Sequence, residues 1–358
     1  MACEQGFELD MSAPTSNRSL SAKLRDLVRT PEFGLAVGIG LVLALIYFLD
    51  QRKGFFERDN LITITHNVAL YGVMALGATI VIIAGGIDLS VGAVAALASV
   101  LSGKMVTEWL PGAGADPPIW VVAVAVGVTL LVGLLIGLLH AFLVNRVGLP
   151  PFIATLATMA GLRSLAQVIS QDQTISVRAG SFRILGLNAA VSIGIFAALA
   201  VLIGVMMGAT VLGRHLYALG GNEAAARLSG LNTRRLKGVA YGFAGMLSAL
   251  GGLLFTGKIG LGDSSLGVAY ELYAITAAVV GGCSLAGGVG SVLGTVLGLV
   301  LIRIIIFGTG QVVHNIDTNV LGIPIKLDLN ATQIEGLVLG TVIVLAVALN
   351  QKFRARRT

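Results

Sequence analysis

Seven polar or charged residues lie within or beside the apolar stretches of this 358-residue sequence, where their side chains could contact a solute. They are Asn67, Asp88, Ser90, Arg163, Gln167, Glu271 and Thr276. A polar group inside a hydrophobic span is costly, so it marks either a transport path or a hydrogen-bonded contact between helices. Arg163 and Gln167 are four residues apart and share one helix face. We predict that the seven line a substrate pathway, with burial in a helix contact as the alternative for each and an outer-mouth position open for Glu271.

A second polar stretch, 213–237, separates two apolar segments and contains a compact helix pattern. Asn222 can cap the first turn, Glu223 suits the positive helix end, and Arg227 is placed to pair with Glu223. Gly230 can take the left-handed conformation that ends a helix. The stretch therefore predicts a short surface helix over 222–229, preceded by Arg214. The pattern alone favours a simple connector held by lipid headgroups over a docking element.

The sequence contains no pattern of residues that predicts catalysis, nucleotide binding or a metal site. The pairs Gly103-Lys104 and Gly257-Lys258 are followed by Met and Ile and lack the upstream glycine frame of a phosphate-binding loop. The four His and two Cys residues share no ligand spacing. We expect no enzyme activity, no cofactor and no bound metal, so any ATP must be bound by another chain.

The composition requires a lipid environment, since 56% of the residues are hydrophobic and only 12% are charged. A helix needs about 20 apolar residues to cross a bilayer. Ten apolar segments satisfy or approach this length, and we predict an all-α integral membrane protein with about ten transmembrane helices. The segments are Phe33–Asp50, Leu61–Ala84, Val91–Ser102, Ile119–Asn145, Pro151–Ser170, Ala189–Leu212, Gly238–Gly257, Leu272–Gly282, Val289–Phe307 and Gln333–Leu349.

The basic residues predict the orientation of these segments. If the N-terminus is cytoplasmic, the cytoplasmic segments contain more Lys and Arg than the external segments. The excess is clearest around Arg234 and in the C-terminal tail. This placement accounts for the net charge of +6 without a nucleic-acid partner. We predict a cytoplasmic tail over 1–32 without a signal peptide, a transmembrane permease domain over 33–350, and a basic cytoplasmic tail over 351–358.

Two of the ten segments are short and have similar flanks. Val91–Ser102 follows Gly85-Gly86, and Leu272–Gly282 ends in the pair Gly281-Gly282. A weak internal repeat with one interrupted helix in each half indicates a transport path, although Gly-rich low complexity could also align two stretches by chance. Glycines four residues apart, at Gly133/Gly137 and Gly290/Gly294/Gly298, favour close helix packing within the chain.

Four stretches, in order along the chain, resemble the permease subunits of ribose/xylose/arabinose-type ABC importers. They are GGIDLSVG over 85–92, PFIATL with GLR over 151–163, GR through ALGGNEAAARLSG over 213–230, and GG with GGVGSVLG over 281–294. The sequence differs from the family in its long N-terminal tail and in the segment 308–330, which carries Asp317, Lys326 and Asp328.

The resemblance implies a binding-protein-dependent importer in a bacterial inner membrane. Two permease copies, identical or related, would contact lipid, a cytoplasmic ABC ATPase and a periplasmic sugar-binding protein, and helix 222–229 would couple them to the ATPase. Related permeases carry autoinducers, nucleosides or branched-chain amino acids, which remain open as substrates. An ion-coupled carrier would need paired acids in the membrane, but Asp88 stands nearly alone; a membrane enzyme would need clustered catalytic groups.

Overall fold

The computed structural model describes residues 30–50, 54–312, 316–320, 323–327, 335–337, 339–341 and 344. Most of the predicted N-terminal tail and all of the C-terminal tail lie outside these residues. The predicted tenth segment, Gln333–Leu349, is described only at helical positions 335–337, 339–341 and 344.

The described part of the chain is almost entirely helical, and we number its helices in chain order. They are α1 (Pro31–Leu49), α2 (Arg58–Ile83), α3 (Val91–Lys104), α4 (Ile119–Phe142), α5 (Pro151–Ser170), α6 (Gly180–Leu187), α7 (Ala189–Ala209), α8 (Val211–Gly221), α9 (Glu223–Leu228), α10 (Thr233–Ile259), α11 (Tyr270–Val280) and α12 (Val292–Val312). Wider π-helical turns extend α3 over Met105–Trp109 and α4 over Leu143–Val147. Two short antiparallel pairs join β1 (Ile175–Ser176) to β2 (Leu261–Gly262) and β3 (Ile316–Val320) to β4 (Ile323–Leu327).

Eight helices in the described residues are long and apolar enough to cross a membrane, and α11 is a shorter apolar helix. The fold class predicted from the sequence, an all-α integral membrane protein, is confirmed. The first short segment is longer than predicted, because the π-helical turn carries α3 to Trp109. The other, α11, is only 11 residues long, as its short apolar run indicates.

Two helix boundaries differ from those predicted from hydrophobicity, because capping side chains determine them. The predicted segment Ala189–Leu212 ends at Ala209, because the Thr210 hydroxyl accepts a hydrogen bond from the Gly213 amide at 3.2 Å and begins α8. Helix α10 begins at Thr233 rather than at Gly238, because Asn232 caps it through the Arg235 amide at 3.1 Å. The loop 213–237 is therefore largely helical.

Helix α10 forms the centre of the bundle and packs against α4, α2 and α3. Glycines allow the backbones of α4 and α10 to touch. A Cβ atom added at Gly133 would lie 2.5 Å from the Gly245 carbonyl oxygen, and one at Gly137 would lie 2.0 Å from the Tyr241 carbonyl oxygen. The predicted close packing at Gly133/Gly137 is thus a contact within this chain.

The two interrupted helices end in the same way, which supports the internal repeat. At each break, three successive amides donate to the carbonyl groups four, three and five residues earlier, a left-handed helix ending. Gly85 (φ 84°) and Gly282 (φ 92°) take the left-handed position. The amides belong to Ala84, Gly85 and Gly86 in one half and to Gly281, Gly282 and Cys283 in the other.

Both breaks meet α8 at what we call the glycine junction, formed by 85–86, 220–221 and 287–288. The Gly288 amide donates to the Ile83 carbonyl at 2.9 Å, which ties the second break to the end of α2. A Cβ at Gly220 would lie 1.9 Å from that same Ile83 oxygen, and one at Gly287 would lie 2.7 Å from the Gly85 Cα. Three backbone segments therefore touch, and no side chain fits at Gly220 or Gly287.

The junction makes opposite predictions for two adjacent glycines. Gly220→Ala should lower the free energy of unfolding by about 1–3 kcal/mol or more, because its methyl group must displace backbone. Gly221→Ala should stay within about 0.5 kcal/mol of the wild type, because a Cβ there meets nothing within 4 Å in the described part of the chain. Thermal unfolding of the purified proteins in one detergent compares them, and equal midpoints would show that the junction is not close-packed.

Candidate functional site

Helix α9 has the start and stop that its sequence predicts. The Asn222 side chain accepts a hydrogen bond from the Ala225 amide at 3.0 Å and caps the helix. Gly230 follows with a φ of 83°, the left-handed conformation that ends the hairpin. Arg214 lies on α8, exposed, and reaches back to the Ala209 carbonyl at 3.5 Å. The five predicted coupling residues thus lie on one continuous surface hairpin, α8–α9.

Glu223 fixes α9 to the start of α10. It pairs with Arg227 at 3.4 Å, as its spacing predicts, and with Lys237 at 2.8 Å, which the spacing does not reveal. Partial burial opposes ionisation of Glu223, but the hydrogen bond from Lys237 and the charges of Lys237 and Arg227 outweigh it and hold its pKa below the ordinary value. The carboxylate therefore stays charged at neutral pH and braces the hairpin.

The exposed surface of α9 carries apolar side chains beside Arg227. Leu228, at the end of the helix, is 90% exposed, and Ala224 and Ala225 before it are also exposed. Ala226 on the opposite face is buried. The exposed Leu228 side chain is therefore available for contact with another protein.

Asp88 lies in the first break and organises the start of α3. One carboxylate oxygen accepts hydrogen bonds from the Ser90 amide at 2.8 Å and the Ser90 hydroxyl at 2.6 Å. The positive end of the α3 dipole stabilises a negative charge at this position. Asp88 is 2% exposed and Ser90 is fully buried, so the pair is closed off from the surface in this conformation.

Two buried residues that the sequence analysis did not select, His140 and Tyr241, face the same break. Asp88 lies within electrostatic range of both side chains, and their rings are 6.2 Å apart. His140 also contacts the Thr158 hydroxyl at 2.7 Å. Among the described residues, the second Asp88 oxygen, His140 Nδ1 and the Tyr241 hydroxyl have no hydrogen-bond partner. The break is thus surrounded by polar groups from α4, α5 and α10.

Arg163 holds a non-helical segment inside the bundle. Its guanidinium donates to the Ser264 carbonyl at 2.8 Å and to the Leu266 carbonyl. The carboxylates of Glu271 and Asp263 lie within electrostatic range of it. Arg163 and Glu271, which are far apart in sequence, are therefore brought to one place at the start of α11.

The other predicted pathway residues have separate environments. Gln167 is exposed one turn further along α5. The Asn67 side chain accepts a hydrogen bond from Lys258 at 2.7 Å, and the Thr276 hydroxyl bonds back to the Leu272 carbonyl of its own helix. The structure therefore groups Asp88 with Ser90 and Arg163 with Glu271. A pathway role for all seven residues stays a prediction.

An aromatic cluster with one arginine is the other polar feature that the sequence analysis left out. The Arg303 guanidinium lies 3.6 Å from the centre of the Tyr71 ring and 5.0 Å from that of Tyr273. It also pairs with Glu335 at 2.9 Å. The sequence signal for this cluster was the charge of Arg303 inside an apolar run. The two tyrosines lie on other helices, and nothing near them in the sequence indicates the contact.

The Tyr241 hydroxyl provides a test of the packing at the first break. A Cβ at Gly86 would lie 2.4 Å from this hydroxyl and 3.1 Å from the next ring carbon. Gly86→Ala should therefore destabilise the protein by about 1–3 kcal/mol. Tyr241→Phe in the same chain should recover part of the loss, because it removes the clashing oxygen. Thermal unfolding of both single variants and the double variant measures this, and strictly additive effects would contradict the contact.

Comparisons with known proteins identify the family. Residues 60–347 match the family described as the branched-chain amino acid transport system / permease component. The chain is 36% identical to the ribose import permease protein RbsC of Haemophilus influenzae over 74% of this chain and 81% of that one. It is 35% identical to RbsC of Bacillus subtilis over 88% of this chain and 91% of that one. It is 33% identical to the galactose/methyl galactoside import permease protein MglC of Haemophilus influenzae over 83% and 90%.

No solved structure matches the chain. The family match covers most of the sequence and includes both chain breaks, the hairpin α8–α9 and the segment held by Arg163. The chain therefore belongs to the permease-component family of the branched-chain amino acid transport system.

Proposed function

We propose that this chain is the membrane-spanning permease subunit of an ABC importer that moves a monosaccharide into a bacterial cell. The observation that carries the proposal is the hairpin α8–α9. It presents the exposed Leu228 at the end of α9 and is joined through Gly220 to both chain breaks. A partner that moves this hairpin acts on both interrupted helices at once.

The relatives support a sugar as the substrate. The chain is similar to import permeases for ribose, for galactose and methyl galactoside, and for fructose. The family description names branched-chain amino acids instead, so leucine is the competing substrate to test. Low charge inside the bundle fits an uncharged solute better than a zwitterion.

The proposed assembly has two permease copies, a pair of cytoplasmic ATPases and a periplasmic binding protein, in the inner membrane with both permease termini cytoplasmic. Closing of the ATPases on ATP would push the two α9 helices. Each hairpin would then move its glycine junction and tilt α3 and α11 beyond it, so the path alternates between its two sides. Arg163, Glu271 and the Asp88–Ser90 pair lie next to the moving segments.

Reconstitution into liposomes tests the function. With its cognate ATPase, binding protein and ATP, the permease should accumulate labelled ribose, galactose or fructose, and it should leave leucine outside. The permease alone should hydrolyse no ATP, because its sequence lacks a phosphate-binding loop. Uptake of leucine alone would assign the chain to an amino acid importer. Hydrolysis of ATP by the isolated chain would contradict the proposal that a separate subunit is the ATPase.

The exposed leucine of α9 tests the coupling. Leu228→Asp should leave the amount of folded permease unchanged, since the side chain is 90% exposed, but should lower co-purification of the ATPase and uptake together. Loss of an interface anchor costs about 2 kcal/mol or more, which is roughly thirtyfold in affinity. Arg227→Glu should act in the same direction through charge.

Arg234→Glu is the matched control, because Arg234 is an exposed cation beyond α9 at the start of α10. It should keep ATPase binding and uptake near wild-type values. Glu223 is unsuitable as the main test, since its replacement also frees Lys237. Normal ATPase binding and uptake in both α9 variants would show that the hairpin is only a connector.

A further inference from the structure

A cavity of about 300 Å³ lies between α2, α11 and the helical positions 335–336 and 339–340. Tyr71, Tyr270, Tyr273 and Glu335 contribute its polar and aromatic lining, and apolar residues such as Leu272 and Leu339 contribute the rest. This volume lies at the lower end of the range for small-molecule pockets and can hold one monosaccharide. None of the residues predicted from the sequence as pathway residues lines it.

The cavity lies beside the middle of α2, since Tyr71 is the fourteenth of the 26 residues of that helix. Helix α11 has 11 residues and begins beside the cavity at Tyr270, so its start is about 16 Å from its other end at the glycine junction. A hydrocarbon core is about 30 Å thick. Solute sites of transporters are typically found near this depth, at the start of a discontinuous helix.

The backbone beside the cavity is irregular and strained. The segment 260–269 between α10 and α11 is non-helical, and at membrane depth such backbone is tolerated only where it is buried in protein or lines a cavity. Ala269, which lines the cavity and precedes α11, has a φ of 67°. A left-handed alanine costs on the order of 1 kcal/mol, and such strain is concentrated at functional sites.

The lining chemistry selects an uncharged, hydroxylated ligand. The Tyr71 ring lies 4.8 Å from that of Tyr270 and 5.0 Å from that of Tyr273, so three aromatic rings with phenolic hydroxyls converge. Arg303 pairs with Glu335 at 2.9 Å, so the acid in the wall is already neutralised. A net ionic ligand finds no free counter-charge there, whereas aromatic rings pack against the C–H faces of a sugar and phenolic and carboxylate oxygens accept its hydroxyl groups.

We propose that this cavity is a low-affinity binding subsite for one monosaccharide in the permease, open on one side. The inference deepens the proposed function and rests on it. The mainly apolar wall and the internally paired polar groups keep binding weak, which suits a solute that must leave quickly. The subsite lies at the opposite end of α11 from the glycine junction, so a tilt of α11 changes its shape.

Two kinds of substitution test the subsite. Gly340 lines the cavity, and a Cβ there meets no atom of the described residues within 4 Å. Gly340→Leu should therefore fill the space without a clash and lower maximal uptake at least tenfold. Gly38→Leu is the matched control, since Gly38 lies on the exposed helix α1 and also has open space around its Cβ position. It should transport at the wild-type rate.

Ring removal tests the chemistry of the wall. Tyr270→Leu should change the ratio of uptake rates for two monosaccharides, each supplied with binding protein saturated, by about three- to tenfold, the worth of one aromatic contact. Tyr270→Phe keeps the ring and should change the ratio less. The measurement uses the intact importer in liposomes with the labelled sugars that the wild type takes up, and ATPase co-purification confirms assembly of each variant.

The outcomes separate this proposal from the proposed function. If the wild-type importer takes up no monosaccharide, the proposed function fails and the subsite fails with it. If the wild type transports sugar while Gly340→Leu and Tyr270→Leu keep its rate and sugar preference, only the subsite is overturned. Lower uptake in Gly340→Leu with an unchanged sugar preference in Tyr270→Leu would identify the cavity as a space for lipid or the second permease copy, and would also overturn it.

Discussion

The rest of the structure depends on the contact of three backbone segments at the glycine junction. The Ile83 carbonyl oxygen accepts the Gly288 amide and lies 1.9 Å from the position that a Cβ of Gly220 would take. Interrupted helices leave backbone groups that lipid cannot satisfy, so each break must be covered by protein. Here the two breaks and α8 cover one another. Because the three segments are closely packed, no one of them has room to move far without the other two.

Charge is used sparingly in the bundle, and the arginines that are present hold irregular or aromatic structure in place. Arg163 binds two backbone carbonyl groups of the segment before α11, and Arg303 stacks on Tyr71 while it pairs with Glu335. A guanidinium group suits both roles, because its fan of donors reaches carbonyl and carboxylate oxygens and its flat face lies on an aromatic ring. Both arginines therefore position the start of α11, one through the chain that precedes it and the other through Tyr273.

Local signals predicted local structure well, and contacts between distant residues could not be read from them. Asn222 and Gly230 fixed the ends of α9 because caps act within a few residues. The paired glycines marked both breaks for the same reason. His140 and Tyr241 are 101 positions apart, and neither has a neighbour that indicates the polar cluster at Asp88. Helix spacing can also mislead: Gln167 shares a helix face with Arg163, but Gln167 is exposed while Arg163 binds backbone carbonyl groups.

Under the proposed function, α11 acts as a lever because its two ends have different surroundings. Its end at Val280 leads into the glycine junction, where backbone contacts leave little freedom. Its start at Tyr270 is held by side-chain contacts with Tyr71 and Phe255 and borders a cavity. A rigid helix of 11 residues would convert a small displacement at the glycine junction into a change of shape at the cavity. The shortness of α11 is then part of the mechanism, because a full-length span would carry the moving end past the middle of the membrane.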